Sequence, residues 1–100
     1  MITIFSQTPN EIALDRSKSS EERIGALQSL WVLDPALTKT VLLAIASREN
    51  ETVDLLEYSG QELARIDHEG VRVTQFDLRD MNPVAYEANF DWMPPEAPTT

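Results

Sequence analysis

The sequence predicts an all-α protein, a compact bundle of four to five helices, and two patterns carry that prediction. Apolar residues recur at spacings of three and four through most of residues 9–70, which is the period of a helix with one buried face. Helix-capping residues precede these stretches, and proline follows the cap at positions 9, 35 and 83. One hundred residues suit a single domain. We therefore expect residues 1–93 to form one helical domain and the Pro-rich segment 94–100 to fray.

The first two helices are predicted from their start signals. Thr8 precedes a proline, and Glu11 follows it at the spacing of a capping box, so a short helix is expected over about 9–17. Ser19 or Ser20 can cap the next helix, which reads EERIGALQSLWVL. Its two leading glutamates lie in the first turn, where the helix dipole favours negative charge.

The third and fourth helices are also predicted from their start signals. Asp34 is predicted to cap a helix that begins at Pro35 and continues through VLLAIA, a run that is apolar almost all round. Asn50 or Thr52 is predicted to start the fourth helix. Gly70 is a plausible left-handed residue at its end.

After the fourth helix the period of the sequence changes. Residues 71–76, VRVTQF, alternate in the manner of a strand and are rich in β-branched residues. A strand here has no obvious partner, so an extended connection is preferred to a strand. Asn82 and Pro83 then give the start signal of a final short helix, MNPVAYEANFDWM.

An internal repeat links the second and fourth helices. At an offset of 33 residues, Leu30 aligns with Leu63 and Ala26 with Ser59, and a period in the thirties is typical of stacked helix pairs. Small residues recur in both copies at positions where helices must approach closely. The offset also places Leu27 on Gly60.

The segment EERIGALQSLWVLDPALTKTVLLAIAS resembles a HEAT-type helical repeat, in which a helix with an A-L-x-x-L core is followed by Asp-Pro and a second helix. The residues that match are Ala26, Leu27, Leu30, Asp34 and Pro35. The second copy departs from the pattern, because Tyr58, Ser59 and Gly60 replace Ala-Leu and no Asp-Pro follows Leu63. The resemblance covers residues 12 to about 66 and implies antiparallel helix pairs and a binding-type fold.

Composition excludes several classes of function. There is no cysteine, so disulfides, thiolate metal sites and a cysteine nucleophile are excluded. The chain has 17 acidic and 8 basic residues, a net charge of −9, which repels nucleic acid and anionic lipid. Residues 47–70 carry seven acids and two bases, or −5, and residues 71–100 carry five acids and two bases, or −3. The first twelve residues lack the features of a signal peptide, and a cytoplasmic protein is expected.

Catalytic chemistry has little support in the sequence. The single histidine, His68, is expected at the end of the fourth helix, where a cation suits the helix dipole. Its neighbours Asp67 and Glu69 point away from it on a helix, so a metal site is not expected. The three glycines are isolated, and no nucleophile motif occurs. We therefore expect no enzyme and no cofactor.

The expected function is inhibition by binding. A small, acidic, cysteine-free helical protein resembles an immunity protein of contact-dependent or polymorphic toxin systems in bacteria, a cytoplasmic antidote to a toxin whose nucleic-acid site is basic. The expected partner is that toxin, with no binding of nucleic acid or membrane, and the protein itself is a monomer or small homo-oligomer. The predicted contacts are the acids and aromatic residues of the second half: Glu49, Glu51, Asp54, Glu57, Tyr58, Asp77, Asp80, Tyr86, Asp91 and Trp92.

Two alternatives remain open from the sequence. The acids can simply solvate the surface while Phe90 and Trp92 cover the core. A HEAT-like adaptor or assembly factor of a larger complex would instead use the apolar side of an incomplete repeat stack. Solution size distinguishes an adaptor, which should self-associate, from an antidote.

Overall fold

The computed structural model describes residues 7–94, which form six α-helices and no strand. The helices are α1 (Pro9–Leu14), α2 (Ser20–Leu33), α3 (Pro35–Ala46), α4 (Val53–His68), α5 (Gln75–Leu78) and α6 (Pro83–Asp91). The all-α prediction is confirmed. Five of these helices match predicted ones, and the short α5 is additional. The predicted Pro-rich tail lies, apart from Pro94, outside the described residues.

Most of the predicted capping residues form capping hydrogen bonds in the structure. Ser19 caps α2 through a capping box with Glu22, in which each residue's side chain accepts from the other's backbone N–H. Asp34, Thr52 and Asn82 each accept a hydrogen bond from a backbone N–H in the first turn of α3, α4 and α6, at 3.1, 3.3 and 2.9 Å. Where the sequence left two candidates, Ser19 and Thr52 are the caps.

The prediction for α1 is wrong in two respects. The helix ends at Leu14 rather than near residue 17, because the Asp15 carboxylate accepts from both the backbone N–H and the hydroxyl of Ser17, at 2.9 and 2.6 Å. Such a local turn competes with the helical hydrogen bonds. The capping box is also absent, since the Thr8 hydroxyl donates to the Glu11 carboxylate at 2.9 Å instead of accepting from the backbone.

The segment after α4 is a turn, a short connection and a helical turn. Gly70 has a φ of 107°, as expected for a left-handed residue at a helix end. The backbone N–H of Gly70 donates to the backbone carbonyl of Asp67 at 3.1 Å, and that of Val71 donates to the carbonyl of Ile66 at 2.8 Å. This is the pattern of a Schellman motif. Residues 71–74 belong to no helix or strand, and the predicted extended segment 71–76 is therefore too long by two residues, which start α5.

The core is built mainly from α2, α3 and α4. Its buried apolar side chains are Ala26, Leu27, Leu30, Val41, Leu42, Ile45, Ala46, Leu55, Leu56, Leu63 and Ile66, with Ala13 from α1 and Ala85 from α6. Each of these elements alone leaves an apolar face uncovered, and their mutual packing provides the main stabilising term.

The packing of α4 against α6 requires a glycine. A Cβ atom placed on Gly60 would lie 2.0 Å from the carbonyl oxygen of Ala85, so the two backbones are in direct contact. The Asn89 side-chain amide also donates to the Gly60 carbonyl at 3.0 Å. The prediction that small residues of the fourth helix mark a close helix approach is confirmed, with α6 as the neighbour.

Candidate functional site

An open groove lies between α4 and α6, and acidic side chains line it. Glu57 and Gln61 contribute from α4, and Glu87 and Asp91 from α6, with Val84 and Ala88 beneath them. Its volume is about 290 Å³. We call this feature the acidic groove.

The local helix geometry explains why these side chains meet. Glu57 and Gln61 are four residues apart on α4, and Glu87 and Asp91 are four apart on α6, so each pair shares one face of its helix. The contact of Gly60 with Ala85 holds the two helices close enough for both faces to border the same groove.

Asn82 fixes the start of α6 relative to the rest of the fold. Its backbone N–H donates to the Ala46 carbonyl at 2.7 Å, and its side-chain amide donates to the Arg48 carbonyl at 2.9 Å. Its side-chain oxygen meanwhile caps α6. One residue therefore ties α6 to the end of α3, which gives the acidic groove a defined geometry.

The charge of the acidic groove is not neutralised within the described part of the chain. Glu57, Glu87 and Asp91 are all exposed and form no ion pair there, and no lysine or arginine lines the groove. Ion pairs elsewhere engage five of the eight basic residues: Arg23, Lys39, Arg48, Arg65 and Arg79. The unpaired acids concentrate a negative field at the groove.

An aromatic stripe runs beside the acidic groove on α6. It consists of Tyr86 and Phe90, four residues apart, whose exposed fractions are 48% and 78%. Each precedes an acid of the groove in the sequence, so the aromatic and acidic side chains form adjacent stripes on one helix. Aromatic side chains are enriched at the cores of protein interfaces.

The predicted contact residues are distributed unevenly around this site. Glu57, Tyr86 and Asp91 lie in the acidic groove or on the aromatic stripe. Glu49, Asp54 and Asp80 are exposed but do not line the groove. The structure thus brings together only part of the predicted set.

Glu51 requires a correction, because it is a buried structural residue. Its side chain is 2% exposed, and its two oxygens accept from both terminal nitrogens of Arg23 at 2.8 and 2.6 Å. Arg48 adds a third bond at 2.9 Å. The hydrogen bonds from Arg23, followed by those from Thr52 and Arg48, lower the pKa of Glu51 to about 2. A carboxylate that is already saturated and buried is not available to a partner.

The two arginines around Glu51 also anchor the end of α1. Arg23 is 1% exposed and donates through Nε to the Ala13 carbonyl at 2.9 Å. Arg48 donates to the Leu14 carbonyl at 3.2 Å. Cationic groups stabilise the unpaired carbonyls at a helix C-terminus. The network therefore joins α1, α2 and the loop before α4.

Asp77 and Tyr58 also have structural contacts. The Asp77 carboxylate accepts from the Thr74 backbone N–H at 2.9 Å and pairs with Lys39 at 3.0 Å, and these contacts lower its pKa. The Tyr58 ring packs partly against the core, and burial, together with the nearby Glu62, raises the pKa of its phenol to about 12. Neither side chain is as free to meet a partner as those of the acidic groove.

Trp92 is half-buried beside His68, with ring centroids 5.7 Å apart. A cavity of about 350 Å³ opens next to them, lined by Asp67, Gln75 and Asn89 among others.

Within residues 7–94, no three histidine or acidic side chains are grouped as metal ligands would be. None of the six helices is both long and apolar enough to cross a bilayer.

Comparison with protein families, with characterised proteins and with solved structures finds no match to this chain. Only the geometry and charge of the site therefore bear on function. Sequence reasoning left Gln61, Glu87 and Phe90 out of the contact set. The spacing of four residues between Glu87 and Asp91, and between Tyr86 and Phe90, is the signal that could have identified two of them.

Proposed function

We propose that this chain is an immunity protein, which binds and neutralises a basic, nucleic-acid-targeting toxin domain in the cytoplasm, and that the acidic groove is its contact surface. The observation that supports this proposal most directly is the grouping of Glu57, Glu87 and Asp91 around one groove without a neutralising cation among the described residues. The side chains act by binding, and none of them makes or breaks a bond.

The mechanism follows from charge complementarity. A toxin that attacks nucleic acid holds phosphate groups with lysine and arginine. Carboxylates from two helices can accept charge-assisted hydrogen bonds from the same side chains, and arginine can bind a carboxylate with two parallel bonds. The net charge of −9 also accelerates association with a basic partner. The inhibitor thus occupies the site that the nucleic acid would use.

The proposed contact set differs from the set expected from sequence. Glu57, Asp91 and Tyr86 remain, and Glu87 and Phe90 join them. Glu49, Asp54 and Asp80 are assigned to the rim, where charges affect the association rate more than the affinity. Glu51 is withdrawn because it holds the fold together.

The test uses the product of a neighbouring large toxin reading frame, whose C-terminal domain should co-purify with this chain. Charge reversal at Glu57 or Glu87 to lysine should weaken binding at least about tenfold and reduce its salt dependence, because each variant removes one attraction and adds one repulsion. Glu21→Lys is the matched control, since Glu21 is an exposed acid of α2 that does not line the groove. Equal affinity for the groove variants and the control would reject the acidic groove as the contact surface.

The second candidate function is a HEAT-like adaptor. Val32 and Leu33, the last two residues of α2, are 81% and 72% exposed, which is unusual for two consecutive large apolar residues. The pairing of α2 with α3, and of α4 with α6 beyond the short α5, also suits a short repeat stack. An adaptor of this kind should self-associate through Val32 and Leu33, and Leu33→Ser should return it to a monomer in analytical ultracentrifugation. A monomer at all concentrations would favour the antidote.

A further inference from the structure

The aromatic stripe has no covering element in the described part of the fold. Phe90 is 78% exposed and Tyr86 48%, whereas the neighbouring face of α6, which carries Ala85 and Asn89, is packed on α4. Holding two aromatic rings in water forgoes the free energy that their burial would supply. The stripe is therefore a surface on which a second molecule would gain from docking.

The charges beside the stripe determine what can cover it. Glu87 and Asp91 follow Tyr86 and Phe90 directly, and Glu57 faces them across the acidic groove. A second copy of this chain, placed symmetrically on the stripe, would bring the same acids against each other. Nucleic acid and anionic lipid are repelled for the same reason. The neighbouring acids require a cationic partner.

We propose that the aromatic stripe and the acidic groove together dock one amphipathic helix of the partner, with an apolar stripe over Tyr86 and Phe90 and lysine or arginine directed into the groove. The inference rests on the proposed function, because it specifies the segment that the basic partner presents. The aromatic contacts supply affinity that does not depend on salt, and the acids supply the salt-dependent part and set the orientation.

A helix fits this surface better than an extended segment. The docking residues repeat at a spacing of four on α6, and a facing helix presents its side chains with the same spacing. Residues 7–94 contain no strand edge to which an extended peptide could add. α6 has nine residues, a length of about 13 Å, which corresponds to two to three turns of the partner helix.

The experiment uses the whole chain and synthetic peptides as probes. The first peptide is a helix of about 18 residues with arginine on one stripe and leucine on the adjoining stripe, long enough to form in water. The second peptide has the same arginines but serine in place of leucine. Backbone amide shifts in NMR titrations should locate the first peptide on residues 84–91, and the second should bind much more weakly.

Three variants separate this inference from the proposed function. Phe90→Ser should reduce the affinity for the first peptide about tenfold at both low and high salt, as loss of an apolar anchor does. Glu87→Gln should reduce it mainly at low salt. Phe76→Ser is the control, because Phe76 is exposed at 67% but belongs to α5 and lies on neither surface. Thermal melts of all three variants should match the parent.

Each outcome has a defined meaning. If Phe90→Ser binds like the parent while Glu87→Gln weakens binding, the docked helix is rejected and the electrostatic function stands. If only Phe90→Ser weakens binding, the aromatic stripe stands and the charge mechanism is rejected. Amide shifts outside α4 and α6, or equal binding of both peptides, would overturn the inference.

Discussion

Replacing Glu51 with glutamine should strongly destabilise the fold, although it changes the side chain by one atom. The substitution keeps the shape of the residue and removes its charge. Arg23, which is 1% exposed, would then hold a buried positive charge with no carboxylate to compensate it. An arginine in that position cannot escape by losing its proton.

The buried pair with Arg23 sets the magnitude of this loss. Removing one member of a buried ion pair typically costs about 3–5 kcal/mol. The fall of the Glu51 pKa from its ordinary value of 4.5 to about 2, which is caused mainly by the same Arg23 contact, corresponds to about 3 kcal/mol of stabilisation. For a domain of this size a loss of about 3 kcal/mol lowers the melting temperature by more than about 10 °C.

The assay is chemical and thermal unfolding of Glu51→Gln beside Glu49→Gln. Glu49 is exposed and loses the same charge, so its variant should change the free energy of unfolding by less than about 0.5 kcal/mol. Because the folded pKa of Glu51 is depressed, its stabilisation is present above about pH 4.5 and is lost as the pH falls towards 2. The difference between the parent and Glu51→Gln should therefore be constant near neutral pH and narrow below pH 4.5. Equal stability of the two variants at pH 7 would refute the structural role of Glu51.

Two further substitutions test the packing of α4. Gly60→Ala should destabilise the fold by at least about 1–3 kcal/mol despite the better helix propensity of alanine, because the added Cβ meets the Ala85 carbonyl. Gly25→Ala is the control, because its Cβ would have no neighbouring element within 4 Å. In the same denaturant titration it should stabilise α2 by about 0.5–1 kcal/mol. Ser59→Ala should be neutral or stabilising by about 1 kcal/mol, since the buried Ser59 hydroxyl has no hydrogen-bond partner among the described residues; a large loss of stability on calorimetry would contradict this.

The boundaries of the long helices could be predicted from sequence because their signals are local. Proline at the first helical position and a capping side chain before it define the starts of α3 and α6 without reference to the rest of the chain. The early end of α1 was missed because the side chain of Asp15 forms a turn with Ser17, a competition that residue spacing alone does not resolve.

The site was predictable only in part, since it depends on contacts between distant segments. Glu51 looks like one of several surface acids in the sequence, and only the approach of Arg23, 28 residues earlier, makes it a core residue. The acidic groove depends in the same way on the contact between Gly60 and Ala85. The number of acidic residues in the sequence predicts that the surface is negatively charged. It does not predict which acids, such as Glu51, are buried in ion pairs and so do not belong to that surface.

The contact between the backbones of Gly60 and Ala85 stabilises the fold without using the side chains that are exposed on α4 and α6. Gly60 and Ala85 meet through main-chain atoms, whereas the carboxylates and aromatic rings nearby are exposed. The exposed residues of α4 and α6 can therefore be substituted to suit a different partner without disturbing the contact between the two helices.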